Sequence, residues 1–200
     1  MRICGIDPGL RHTGWGIVDI EGSTLKWVAD GTINPDPHQT DAERLADIHA
    51  GLKAVISRHA PDRAAVEEIF VARNAGSALK LGMARGVAIL TLADAGLAVS
   101  EIAARRVKQN ITGSGRADKT QVTAMVSRLL GVTPQSVDSA DALAIAIAAS
   151  HDSPETVAEA AKRAATGAAK GGGAGAGLPA TSDGGLEAAI ARALAKESAS

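Results

Sequence analysis

Two hundred residues with a formal net charge of −1 and 46% hydrophobic composition leave room for one ordinary domain with a core, plus length that need not belong to it. No run of eighteen consecutive apolar residues occurs, and the first residues lead straight into Arg2, Cys4 and Asp7, so neither a membrane span nor a secretory leader is expected and the chain reads as a soluble cytoplasmic protein. The lone Cys4 sits inside an apolar run and reads as a small core hydrophobe, with no partner for an internal disulfide.

Residues 2–7 have the apolar character of a strand and end on the turn sequence D-P-G. Residues 15–20 and 25–33 are two further strand-like runs separated by Glu21, Gly22 and Ser23, which together predict an antiparallel meander. At Thr40 the sequence T-D-A-E is a capping box, and Leu45, Ile48, Leu52, Val55 and Ile56 then recur at helical spacing until Pro61. Residues 63–70 are again strand-like, and 77–95 form a long helical run in which Gly82 and Gly86 lie four apart, a spacing that suits close helix packing. Residues 97–102 complete five strands.

The stretch 110–117 is rich in Gly and Ser and predicts a loop; Asp118 can cap a helix running to Leu130, and residues 136–149 form a last helix rich in Ala, Leu and Ile. This order predicts an α/β domain, a five-stranded mixed sheet flanked by helices, over residues 1–151. Residues 152–200, with K-G-G-G-A-G-A-G at 170–177, shift to Ala and Gly and predict a disordered low-complexity tail, within which Leu186, Ile190 and Leu194 make a thin apolar stripe.

Charge is unevenly placed along this layout. Residues 73–130 carry nine basic side chains against three acidic ones, whereas residues 1–72 carry seven basic against eleven acidic, so the middle of the chain is a candidate phosphate-binding face. Acidic residues fall at the ends of three predicted elements: Asp7 after the first strand, Glu67 and Glu68 near the end of the fourth, and Asp138 and Asp141 in the first turn of the last helix. Strand alternation lets only one of Glu67 and Glu68 face the same way as Asp7, while the three-residue spacing puts Asp138 and Asp141 on one helical face. Each feature alone has a plainer reading, as a turn, a solvated strand edge or an acidic first helical turn. Jointly they suit a hard divalent cation such as Mg2+ or Mn2+, which prefers oxygen ligands. The five histidines show no zinc-ligand spacing, and only His12 lies near Asp7.

The stretches I-C-G-I-D-P-G at 3–9, A-V-E-E-I-F at 65–70, N-A-G-S-A-L-K-L-G-M-A-R-G-V-A-I at 74–89, A-A-R-R-V-K-Q at 103–109 and D-S-A-D-A-L-A-I-A-I at 138–147 occur in an order that resembles the RuvC family over residues 1 to about 151. The resemblance implies a ribonuclease H-like fold and a structure-specific endonuclease that resolves Holliday junctions by paired, symmetric cuts in DNA recombination and repair. It implies two Mg2+ ions per site, with Mn2+ as a substitute, and ends bearing 5′ phosphate and 3′ hydroxyl. It assigns the catalytic and metal-binding positions to Asp7, Glu67, Asp138 and Asp141, and so selects Glu67 over Glu68. Lys108 and Lys119 match basic positions near such a site and Phe70 an aromatic that contacts unstacked bases; with Arg73 from the basic block they make up the candidate DNA-binding set.

The same resemblance implies a homodimer acting on four-way junction DNA and a branch-migration complex of RuvA and RuvB as partner. Two cuts related by two-fold symmetry need two sites, which a C2 dimer supplies. Helix 77–95 is the candidate contact, with packing of that helix on its own sheet the competing reading. Two other functions remain in view: a DNA-binding module without catalysis, and an actin-like or Hsp70-like nucleotide-binding protein suggested by D-P-G with Thr13, Gly14 and Gly16. The second needs two related domains, for which the chain is too short.

Overall fold

The computed structural model describes residues 1–68 and 74–151, all within the first of two compact units, Met1–Val157. The sequence-based expectations for Phe70, for Arg73 and for the tail after 151 lie outside the described residues.

Five strands form one sheet, β1 (Arg2–Asp7), β2 (Thr13–Glu21), β3 (Thr24–Ile33), β4 (Arg63–Glu68) and β5 (Ala98–Ala103), in the spatial order β3-β2-β1-β4-β5. The first three make the expected antiparallel meander, with Gly22 at φ 61 in the turn between β2 and β3, where a residue with a side chain would be strained. β4 then returns parallel to β1, and β5 parallel to β4. A parallel return needs a crossover, supplied by α1 (Asp41–His59) before β4 and by α2 (Ala75–Asp94) before β5. The Thr40–Glu43 capping box predicted from sequence is formed: the Thr40 side chain accepts from the Glu43 amide, and the Glu43 carboxylate accepts from the Thr40 amide at 2.8 Å.

Three helices follow β5: α3 (Ala104–Thr112), α4 (Lys119–Leu130) and α5 (Val137–Ser150). The sequence reading missed α3 and placed its last three residues in a loop. Two features hid it: Ala103 precedes it without a side-chain cap, and only Val107 and Ile111 are buried, four apart on one face. Both α4 and α5 start at capping boxes, Asp118 with Gln121 and Ser136 with Ser139.

Two apolar clusters sandwich the sheet. Cys4, Ile6, Ile17 and Val66 face Ile48, Leu52, Ala84 and Leu92 of α1 and α2 on one side. Ile3, Val18, Ala65 and Ile102 face Leu143, Ile145, Ile147, Val122 and Val126 of α5 and α4 on the other. Alternation along each strand sorts neighbours to opposite clusters, which is why β1 and β4, covered on both faces, read as continuous apolar runs. Almost every residue of α5 is buried, including Ala140, Ala142, Ala144, Ala146 and Ala148. Small residues on both partners let the backbones meet: a Cβ on Gly5 would collide with the Ala142 carbonyl and the Ala146 amide, and one on Gly14 with the Asp138 carbonyl. The far end of α5 is held as well, since Arg63 donates to the Ala149 carbonyl at 2.7 Å and Asn110 to that of Ala148 at 3.2 Å, satisfying orphan carbonyls of the last turn.

One expectation is corrected. Among the described residues nothing packs on Gly82 or Gly86, since a Cβ at either would meet nothing within 4 Å; α2 reaches its own sheet instead through Ala84, Ala88, Thr91 and Leu92. On β3, Trp27 is 41% exposed, with its indole N–H donated to Asp30. The contact at Gly5 generates a direct test: Gly5→Ala should lower unfolding stability by about 1–3 kcal/mol, the cost of overpacking a core that cannot yield, read from the urea denaturation midpoint.

Candidate active site

Parallel strands bring their carboxyl ends to the same edge of a sheet, and here that edge carries Asp7 at the end of β1 and Glu67 near the end of β4. The register pairs Ile6 with Val66, so Asp7 and Glu67 follow side by side. Sheet parity settles which glutamate joins Asp7. Gly5 and Ala65 face α5, so Asp7 and Glu67, each two residues further on, face it too; Glu68 follows Ala64 and Val66 to the opposite side. The close approach of α5 to the glycines of β1 and β2 then carries the start of that helix, with Asp138 in its first turn and Asp141 just beyond, to the same edge.

Asp7, Glu67 and Asp141 line one cavity of about 350 Å3 together with Lys108 of α3 and Lys119 of α4. Its remaining wall is apolar, made by Val107, Val122, Ala144 and Ile145 among others. Asp138 stands at the margin and lines an adjoining concavity with Arg11, His12, Arg44 and Lys80. His12 Nδ1 lies 2.7 Å from Asn34 Oδ1 in that region. Lys119 is the first residue of α4, where the Asp118 cap fixes the start of the helix, and its ammonium donates to Asp141 Oδ2 at 2.7 Å.

Burial and like charge act together on the acids. The Asp7 carboxyl is pushed up to about 7, first by burial and then by Glu67, Asp141 and Asp138, against a smaller downward pull from Lys119. Glu67 is raised by burial and by Asp141, with Lys119 and Lys108 opposing. Asp141 is also raised by burial, although its hydrogen bond from Lys119 pulls the other way. The Lys119 ammonium is held above its ordinary value, chiefly by that same bond. Such a cluster gains stability from any cation placed among it.

The donor set is all carboxylate oxygen, the chemistry of a hard divalent ion. Among the described residues no group of three or more His, Cys, Asp or Glu side chains is arranged to hold a metal ion unaided. In this arrangement the Lys119 ammonium neutralises Asp141. A residue that sequence reading did not single out also bears on the site. Arg85 of α2 donates from Nε to the Glu67 carbonyl at 3.1 Å and forms an ion pair with Glu101 of β5, tying the end of β4 to its neighbours. Its only sequence signal is a second cation, after Lys80, in a mainly apolar helix.

Residues 3–149 match the family described as Crossover junction endodeoxyribonuclease RuvC. The chain is 53% identical over 152 residues to the crossover junction endodeoxyribonuclease RuvC of Azorhizobium caulinodans, an alignment that covers 76% of this chain and 90% of that protein. It is 55% identical to that of Paramagnetospirillum magneticum, covering 76% and 92%. Among solved structures it is similar to Thermus thermophilus RuvC in complex with a Holliday junction substrate, with TM-score 0.71 and 35% identity over 75% of this chain and 93% of that one. The yeast mitochondrial Holliday junction resolvase Ydc2 shares the fold, at TM-score 0.52 and 12% identity over 73% and 77% of the two chains.

The Asp7 shift has a consequence for the ion-free protein. With its folded value near 7 and its unfolded value in the ordinary carboxylate range, Asp7 binds a proton in the folded chain that the unfolded chain has already released across that window. This contribution to stability is fully present below about pH 4 and is lost as the pH rises through 7. In EDTA at about pH 8, Asp7→Asn should therefore melt several degrees above the wild type, and the gap should narrow towards about pH 5. Added Mg2+ should raise the wild-type melt more than that of the variant; differential scanning fluorimetry reads both.

Proposed function

The chain belongs to the RuvC family, and from that membership we infer how its own residues cut a four-way junction. It is a crossover junction endodeoxyribonuclease, a metal-dependent phosphodiester hydrolase that resolves Holliday junctions in DNA recombination and repair. The observation that carries the assignment of residues is the delivery of Asp7, Glu67 and Asp141 by three different elements to one cavity rimmed by Lys108 and Lys119.

We assign catalysis and metal binding to Asp7, Glu67, Asp138 and Asp141, with Mg2+ as the ion, two per site, and Mn2+ as a substitute. Bound divalent ions would supply Lewis acidity at the scissile phosphate and make a coordinated water easier to deprotonate. The carboxylates would hold and orient these ions, with Asp7, flanked by Glu67 and Asp141 in the cavity, our choice for a shared ligand. Lys119 is poised to exchange Asp141 for an oxygen of the scissile phosphate, and Lys108 offers a second cation from the facing wall. The apolar wall thins the water around the reacting phosphate and strengthens each of these charge interactions. Phe70 and Arg73 complete the proposed DNA-binding set, and the ends expected are 5′ phosphate and 3′ hydroxyl.

The active unit proposed is a homodimer. Its support is the outer face of α2: Leu79 and Leu90 are each 66% exposed, and Gly82 and Gly86 between them open the backbone to close approach. Among the described residues α2 is also the one helix long and apolar enough to cross a membrane, at mean hydropathy 1.2 with 22% of it buried. A second copy of the helix related by a two-fold axis would cover this surface and set two active sites on two strands. RuvA and RuvB as partners and a cytoplasmic location are proposed on family membership alone.

On a mobile synthetic four-way junction with Mg2+, Asp7→Asn, Glu67→Gln, Asp138→Asn and Asp141→Asn should each slow cutting by about a hundredfold or more. Junction binding should persist, and Glu68→Gln should cut nearly as the wild type does. Full activity in any of the first four would remove that residue from the site. For the dimer, Leu79→Glu and Leu90→Glu should shift sedimentation towards the monomer, and mixing wild type with Asp7→Asn should leave nicked junctions whose second cut is slow.

A further inference from the structure

Beyond the cavity, a hydrogen-bond cluster joins β3 to the start of α5 and takes no part in the chemistry above. Asp30, 2% exposed, accepts through Oδ2 from the Ser139 hydroxyl at 2.6 Å and the Gln135 amide at 2.8 Å, and through Oδ1 from Trp27 Nε1 at 2.9 Å. Gln135 Nε2 donates back to the Asp30 carbonyl at 2.8 Å. Two residues along the strand, the hydroxyls of Thr32 and Ser136 lie 2.7 Å apart. The contacted residues of the helix entry, Gln135, Ser136 and Ser139, bracket Asp138 and lead directly to Asp141.

A β-bulge makes this possible. Ala29 pairs with Ile17 and Trp27 with Val18, so Val28 is the extra residue. Without it, Trp27 and Asp30, three apart, would point to opposite faces of the sheet; with it, both face α5. Burying a carboxylate is costly, and apolar contacts would hold a strand to a helix without that cost. What the carboxylate adds is direction. The glycines of β1 and β2 set how near α5 lies to the sheet but leave it free to turn about its own axis, and a turn of 10–20° would displace a side-chain carboxylate by about 1 Å, beyond what an ion site tolerates.

We propose that Asp30, together with Thr32, is a positioning residue that fixes the rotation of the first turn of α5 and thereby aims Asp138 and Asp141 at the catalytic ions. This rests on the assignment of those two acids as ion ligands. The test is Mn2+ binding to the full-length protein without DNA, followed by calorimetry, beside thermal melts in EDTA and junction binding without divalent ion. Asp30→Asn and Thr32→Val should each weaken Mn2+ binding by about tenfold or more, Thr32→Ser should restore it close to wild type, and junction affinity should stay unchanged. Variants that melt lower but bind Mn2+ as tightly as the wild type would reduce the cluster to a structural staple and overturn the proposal. If Asp30→Asn does not fold, the Thr32→Val and Thr32→Ser pair decides by the same titration. Asp141→Asn separates the two assignments: undiminished Mn2+ binding there would sink the ligand assignment, whereas loss there with no effect at Asp30 and Thr32 would sink the positioning role alone.

Discussion

Everything at the active edge depends on how closely α5 can lie on β1 and β2. Gly5, Gly14 and Gly16 present bare backbone to a helix whose own facing residues include Ala142 and Ala146, so main chain meets main chain. A helix separated from the sheet by ordinary side chains would sit near the usual 10 Å layer spacing and could not bring Asp141 to Asp7. The alanine-rich composition of α5 is thus a condition of the chemistry as well as of burial. It also explains why both ends of the helix are tied by polar contacts: an Ala surface against Gly has few interlocking ridges to resist sliding.

The same approach forces three acids, Asp7, Glu67 and Asp141, together in a half-dry recess with Asp138 at its margin, and the fold meets the resulting repulsion only in part. Lys119 neutralises Asp141, while Asp7 is left so far from its ordinary titration that it is half protonated near neutrality. A divalent cation among these acids would relieve that repulsion, so under the proposed assignment the cost of gathering them and the affinity for an ion would share one origin. A carboxylate cluster relaxed by its own hydrogen bonds would have little reason to recruit an ion.

Much of this was legible in the sequence. The Thr40 capping box, the Asp118 cap, the meander and the mixed sheet follow from local chemistry, because caps, turn residues and apolar periods act within a few residues of one another. The candidate acids were visible because each falls near one end of an element. Single-chain periodicity could not choose between Glu67 and Glu68, since alternation fixes only that the two differ; the parity shared with Gly5 and Ala65 appears once β1 and β4 are paired. α3 escaped because its apolar signal is two residues long, and Asp30 because its partners lie more than a hundred positions away, joined through a bulge that strand propensity does not reveal. The Gly82 and Gly86 spacing reads as a close-packing signal, yet among the described residues nothing packs on either glycine, and spacing alone does not say whether a helix packs inward or outward.

The bulge at Val28 acts on the outer side of the sheet as well. β3 is an edge strand of ten residues, long enough for its unpaired amides and carbonyls to template the strand of another molecule. An extra residue in mid-strand kinks that row and increases its local twist, so a straight incoming strand can match at most one half of it. The opposite edge, β5, is only six residues long. A feature that turns Asp30 towards α5 thereby also guards the protein against sheet-to-sheet aggregation.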